Sequence, residues 1–283
     1  MKLVRVGEAS RETPAVLEAG VLLDARPVTS DFDPAFFAAG GITKLRNAIR
    51  AGELRPLPAN GVRFGAPIAK PEKIVCIGLN YRNHAAESGM EVPKEPIIFM
   101  KAPNTIVGPN DDVMIPRKSV KTDWEVELAV VMGSRAAYLD SPAESLRHVA
   151  GYAISNDVSE REFQLERGGQ WDKGKSCATF NPLGPWLVTS DEVADPQMLH
   201  MFLDVNGRRL QNESTSDMIF PVDHLIWYVS QFMVLEPGDV LNTGTPSGVG
   251  LGLRPPRYLA PGDEMRLGIE GLGEQRSRVI ATP

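Results

Sequence analysis

The sequence predicts a mainly β protein with some α structure, an α+β fold, and three observations carry that reading. Short runs rich in β-branched and aromatic residues recur along most of the chain, turns rich in Gly, Pro, Asn and Asp separate them, and stretches with helical apolar spacing are few. At 283 residues the chain is long enough for one large domain, or for a large and a small one, with a sizeable core.

Residues 1–65 read as a small N-terminal α+β domain and linker. Strands are expected over Lys2–Val6, Pro14–Glu18 and Val21–Asp24, then a helix from Asp33 through Arg50. Pro56, Pro58, Pro67 and Pro71 follow, interleaved with Gly61 and Gly65, a clustering that suits a linker better than a helix interior. Residues 66–283 read as the larger, β-rich domain. Its expected strands are Lys73–Ile77, Pro96–Met100, Trp124–Met132, Ala150–Ser155, Pro185–Thr189, Met201–Val205, Val240–Thr243 and Glu264–Ile269. Helices are expected over Asn83–Ser88, Ser159–Gln164 and Pro221–Phe232.

The bulk properties narrow the partners. A formal net charge of −6 leaves no basic excess to neutralise a phosphate backbone, so nucleic acid is not an expected partner and small molecules are. The N-terminus carries charge within an alternating pattern and lacks the apolar core of a signal peptide. No uncharged apolar run approaches the roughly 18 residues of a membrane span. Two cysteines, Cys76 and Cys177, argue against a disulfide framework and suit a reducing cytoplasm, the expected compartment.

The chemistry begins with carboxylates. In Lys121–Met132 the alternation puts Trp124, Val126 and Leu128 on one face and Glu125, Glu127 and Ala129 on the other. Two carboxylates thus share a face about 7 Å apart, the rise of two strand residues. Because the strand continues into the apolar run Ala129–Met132, that face is expected to be buried. There the pair repels by roughly 2 kcal/mol at an effective dielectric of about 20, and a cation would remove that cost. A third carboxylate, Asp157, ends the apolar run from Tyr152. Ser159 and Glu162 form a Ser-x-x-Glu capping-box pattern just beyond it, leaving Asp157 free to point elsewhere. Three carboxylates without nearby His or Cys are a hard-ligand set suited to Mg²⁺, Mn²⁺ or Ca²⁺ rather than Zn²⁺.

His84 and Glu87 lie three residues apart on an expected helix, where a carboxylate can orient an imidazole as general base. Lys173 and Lys175 flank Gly174, and a lysine beside a metal could steady a developing oxyanion. Cys177 reads as a core residue, and His148, His200 and His224 read as structural. The stretch from Asn242 to Gly250 lacks the lysine of a phosphate-binding loop and reads as a tight loop, in position to line a pocket.

In order, Gly78-Leu-Asn-Tyr-x-x-His84, Phe99-x-Lys101, Glu125-x-Glu127, Asn156-Asp157 with Arg161, Gly174-Lys175-Ser176 and Thr243-Gly-Thr-Pro-x-Gly-Val-Gly250 resemble the successive motifs of the fumarylacetoacetate hydrolase family. The likeness runs from Lys73 to Ile280. It implies a mixed β-roll catalytic domain, often a homodimer, with Mg²⁺ or Mn²⁺ bound by Glu125, Glu127 and Asp157. It further implies His84, Glu87 and Lys175 as catalytic residues, with Tyr81, Lys101, Arg161, Gln164 and Thr245 facing the substrate. Gly78–Met90, Lys121–Val130 and Asp157–Ser176 also resemble bacterial hydrolases of 2,4-diketo-3-deoxy sugar acids such as the L-rhamnonate derivative. The expected activity is metal-dependent cleavage of a carbon–carbon bond in a 2,4-diketo acid to pyruvate and a second small acid. The alternatives are a lyase or decarboxylase acting on oxaloacetate, an acylpyruvate or ureidoglycolate and, more remotely, a non-catalytic ligand-binding protein.

Overall fold

The computed structural model describes residues 1–59 and 61–283. Among these residues the architecture is α+β and mostly sheet, as the sequence predicts. Eleven strands form the main sheet, whose order runs Val21–Asp24, Thr13–Glu18, Lys2–Val6, Asn181–Thr189, Val149–Asn156, Val126–Met132, Val240–Asn242, Ile74–Gly78 and Ile97–Lys101, with two short strands off that path. A second sheet of five strands is ordered Arg208–Ser214, His200–Val205, Glu264–Ile269, Gly273–Ala281 and Val113–Ile115. Trp124, just before the Val126–Met132 strand, and Val126 and Leu128 within it pack with Met201, Leu203, Met265 and Leu267 of the second sheet in one fully buried core. Each such side chain withdrawn from water contributes about 1.5–3 kcal/mol.

The strands within residues 1–65, a stretch read from sequence as a unit of its own, are hydrogen-bonded into the main sheet. Lys2 pairs with Val188 and Leu3 with Leu187. Leu3, Phe32 and Phe36 share a core with Ile74, Ala129 and Leu183 from beyond the proline cluster. The single helix expected over Asp33–Arg50 is two helices, Pro34–Ala38 and Gly41–Arg50. Asp33 caps the first by accepting from the Phe36 N–H at 2.9 Å. The chain then turns at Gly40, in the left-handed region at φ 66°.

The helix expected at Ser159 also differs. Ser159 and Glu160 form a short strand against Thr122 and Asp123, and the Ser159 hydroxyl donates to the Asp157 carbonyl instead of capping. A wide helical turn covers Glu162–Glu166 with Arg161 at its N-cap and no side-chain cap, and the Glu160 carboxylate accepts from the Glu162 N–H at 3.2 Å. No helix among the described residues is long and apolar enough to cross a membrane.

Strand direction decides where chemistry can gather. Val240–Asn242 is parallel to Ile74–Gly78, and Val126–Met132 is antiparallel to both Val240–Asn242 and Val149–Asn156. The end of the Ile74–Gly78 strand, the start of Val126–Met132 and the ends of Val149–Asn156 and Val240–Asn242 therefore meet at one edge. Past that edge come His84, Glu125, Asp157 and Thr245.

Candidate active site

The carboxylates meet because of register. Val126 faces Asn156 and Glu127 faces Ser155, so Asp157 emerges beside Glu125 and its N–H donates to the Glu125 carbonyl at 2.9 Å. The Asn156 side chain accepts from the Glu125 N–H at 3.1 Å. Carboxylate oxygens of Glu125, Glu127 and Asp157 lie within 4.8 Å of one another, and all three residues are buried.

Buried cations interleave with them. The Lys175 ammonium, on the short helix Asp172–Lys175, lies 2.7 Å from Glu125 Oε2 and 2.8 Å from Asp157 Oδ2. Lys101 Nζ donates to Asp157 Oδ1 at 2.6 Å and to the Val158 carbonyl at 3.1 Å. Arg161 Nε donates to Asp123 Oδ2 at 2.8 Å. Burial raises the pKa of Glu125, but the charges of Lys175 and Arg161 outweigh that and hold it at about 2. Burial lowers that of Lys175, and Asp157 and Glu125 more than restore it, so its pKa is raised and the ammonium stays charged.

Glu127 is the exception. It makes no ion pair among the described residues; its Oε2 accepts only from the Gly244 N–H at 2.8 Å. Burial, then the charges of Asp157 and Glu125, push its pKa well above the carboxylate range. Three hard oxygen donors converging on one point, one of them lacking a counter-charge, fit a divalent cation. The lack of an ion-pair partner for Glu127 among the described residues has a thermodynamic consequence. A raised folded-state pKa means that the metal-free fold loses stability as pH rises from the ordinary carboxylate value through the raised one. Metal needs the ionised carboxylate and offsets that loss. The upward shift in Tm on adding Mn²⁺ is therefore expected to grow from about pH 5 to about pH 8, with a stabilisation of about 2.7 kcal/mol when free metal is 100-fold above Kd. Thermal melts across that range check it, and a shift that shrinks with rising pH contradicts it.

Glu125 and Glu127, but not Asp157, line a cavity of about 390 Å³ together with His84, Glu87, Arg161, Gln164, Lys175 and Thr245, among others. His84 sits on the helix Arg82–Glu87, whose approach is fixed by Asn80: its side chain donates to the Phe220 and Thr243 carbonyls and accepts from the Phe220 N–H. His84 Nδ1 and Glu87 Oε1 are 3.6 Å apart, both buried and neither hydrogen-bonded, a separation too long for a hydrogen bond but short enough to close with ligand present. The other Glu87 oxygen accepts from the Gly248 N–H at 2.6 Å.

A Cβ on Gly252 would overlap the Glu87 carboxylate. Gly252→Ala is accordingly expected to displace Glu87 and lower turnover about 10-fold or more while Mn²⁺ affinity holds. Unchanged turnover would show that Glu87's place is immaterial.

Arg161, Gln164 and Thr245 line the cavity. Gln164 accepts from Arg161 Nη1 at 3.1 Å, and the Thr245 hydroxyl donates to the Val126 carbonyl at 2.9 Å. Tyr81 and Lys101, expected to face substrate, are not among the lining residues. The Tyr81 hydroxyl is 3.2 Å from Met201 Sδ in the core, and the Lys101 charge is taken up by Asp157. Cys177 and the three other histidines do not line the cavity either. Asp123 was missed by the sequence reading, although it shares the parity of Glu125 and Glu127.

Residues 73–280 match the model of the fumarylacetoacetate (FAA) hydrolase C-terminal family. The chain belongs to the fumarylacetoacetate hydrolase family. A relative from Burkholderia cenocepacia (strain HI2424), provisionally named a hydrolase, is 51% identical over 280 residues and 98% of each chain. The family's solved structures include a fumarylacetoacetate hydrolase from Exiguobacterium antarcticum (35% identity, TM-score 0.86, 100% of each chain). A 2-hydroxyhepta-2,4-diene-1,7-dioate isomerase from Mycobacterium marinum matches at 31% identity and TM-score 0.77, over 100% of this chain and 99% of its own. A maleylpyruvate hydrolase from Sphingobium sp. SYK-6, solved with manganese(II) and pyruvate, matches at 28% identity and TM-score 0.82 over 100% of each chain. This member of the fumarylacetoacetate hydrolase family is thus an enzyme of a fold that serves hydrolases and isomerases alike.

Proposed function

We propose that this enzyme is a metal-dependent hydrolase that cleaves the carbon–carbon bond of a 2,4-diketo acid and releases pyruvate. The observation that carries the reading is the convergence of Glu125, Glu127 and Asp157 with Lys175 beside a cavity that Glu125, Glu127 and Lys175 line together with His84 and Glu87. A divalent cation, Mg²⁺ with Mn²⁺ as the alternative, would be held by the three carboxylates and would supply Lewis acidity and a chelation point for the 2-oxo acid. The manganese(II) and pyruvate in the maleylpyruvate hydrolase structure support a divalent cation at such a site.

His84, oriented by Glu87, takes a proton from water as the water oxygen bonds to the distal carbonyl carbon. The Lys175 ammonium steadies the oxyanion. When the bond between the distal carbonyl carbon and the methylene carbon breaks, its electron pair stays on the methylene carbon. That carbon takes a proton to give pyruvate, and the distal acyl group leaves as a carboxylic acid. Arg161 and Gln164 hold the substrate carboxylate.

The proposed substrate is a 2,4-diketo-3-deoxy sugar acid such as the L-rhamnonate derivative. A second reading, an acylpyruvate, is favoured by the apolar wall of Leu79, Met90, Phe99, Leu165 and Leu251. Loss of enol absorbance across a panel of both substrate types, with Mg²⁺ and with chelator, is the test. Turnover that needs metal and yields pyruvate is expected, and turnover undiminished by chelator, or a panel without turnover, overturns the reading.

A further inference from the structure

The Asp123 carboxylate is fully buried, and both of its oxygens accept hydrogen bonds. Oδ1 accepts from the N–H groups of Trp124 at 2.8 Å and Gly250 at 2.7 Å. Oδ2 accepts from the Leu251 N–H at 3.0 Å and from Arg161 Nε at 2.8 Å. The approach is so close that a Cβ on Gly250 would stand 2.7 Å from Oδ1. Leu251, Gly252 and Arg254 of this loop line the cavity, and so do Arg161 and Gln164.

Arg161 supplies the observation that points to a ligand. It is only 5% exposed, and its Nη2 lies 2.7 Å from Glu125 Oε1 but is not aligned to donate to it, so that a buried guanidinium N–H lacks a hydrogen-bond acceptor. A buried donor of this kind costs about 1–3 kcal/mol if left unmade. A carboxylate entering the cavity can accept from that edge, provided the guanidinium plane is held fixed. Asp123 holds it through Nε.

We propose that Asp123 is a positioning residue that locks the loop at Gly250 and Leu251 to Arg161, so that one cavity wall and the carboxylate-binding guanidinium are set as a single unit. This rests on the reading of Arg161 as the contact for the substrate carboxylate. The role is distinct from metal binding, because Asp123 is not one of the three converging carboxylates.

Asp123→Asn turns one acceptor oxygen into a donor facing two other donors. In the Mn²⁺-loaded protein, hydrogen exchange at the Leu251 amide is expected to quicken 10-fold or more while Mn²⁺ affinity stays within threefold. Oxalate, used as the 2-oxo acid probe in calorimetry, is expected to bind at least 10-fold more weakly to Asp123→Asn. Arg161→Gln should lose a similar factor, and the double variant no more than either single one. Unchanged exchange, or losses that multiply in the double variant, overturns the proposal. Wild-type protein that ignores oxalate would sink the diketo acid reading instead, and the exchange measurement would still decide the role of Asp123. Should Asp123→Asn fail to fold, oxalate is expected to slow Leu251 exchange in the wild type and not in Arg161→Gln, and equal slowing in both refutes the coupling.

Discussion

Glu125→Gln is expected to remove metal binding and turnover together, with Mn²⁺ affinity falling about 1,000-fold or more. The side chain is nearly isosteric, so the loss is one of charge. Glu125 Oε2 lies 2.7 Å from Lys175 Nζ and Oε1 lies 2.7 Å from Arg161 Nη2, both cations buried. Neutralising it deprives the cation site of a ligand and leaves two buried cations short of an anion. Breaking a buried pair in this way typically costs about 3–5 kcal/mol. A lower Tm in the metal-free variant should therefore accompany the lost affinity. Calorimetric titration with Mn²⁺, a thermal melt and the turnover assay read the three effects, and a variant that keeps its metal removes the site as drawn.

His84→Ala is expected to keep the metal and lose most hydrolysis, by a factor of about 10² to 10⁴, the usual worth of a positioned general base. His84 touches none of the three carboxylates through a hydrogen bond, so Mn²⁺ affinity should change little. The same variant distinguishes hydrolysis from reactions that need no attacking water. If an oxo-acid decarboxylation persists in His84→Ala while diketo acid cleavage is lost, the base serves the water; a near-normal kcat for cleavage reassigns the base.

The carboxylate strand was legible because two periodicities coincide in it. Alternation placed Glu125 and Glu127 on one face, and the apolar continuation through Met132 marked that face as buried. Their union with Asp157 depends on the pairing of Val126 with Asn156, a register set by tertiary packing and invisible to spacing. Lys101 shows the same limit. Its position in a motif suggested a substrate contact, but its ammonium is consumed by Asp157 from beneath. The proline cluster near residue 65 suggested a boundary, while the Lys2–Val6 strand pairs with one that lies far away in sequence, a contact without a local signal.

The strands Arg208–Ser214 and Gly273–Ala281 were overlooked because their exposed faces are polar and charged. Burial in the latter falls on Gln275, Ser277 and Val279, only one of them apolar. The helical reading of Ser159 failed because a four-residue capping pattern is weaker than the pairing with Thr122 and Asp123.

The short strand Val240–Asn242 is wedged between Val126–Met132 and Ile74–Gly78, two segments that precede it by a long stretch of chain. During synthesis those two partners emerge first and cannot zip directly onto each other without closing the slot the late strand must occupy. Nascent chains halted before Val240 should consequently be protease-sensitive, and they should mature only once the later strands Glu264–Ile269 and Gly273–Ala281 have also left the ribosome.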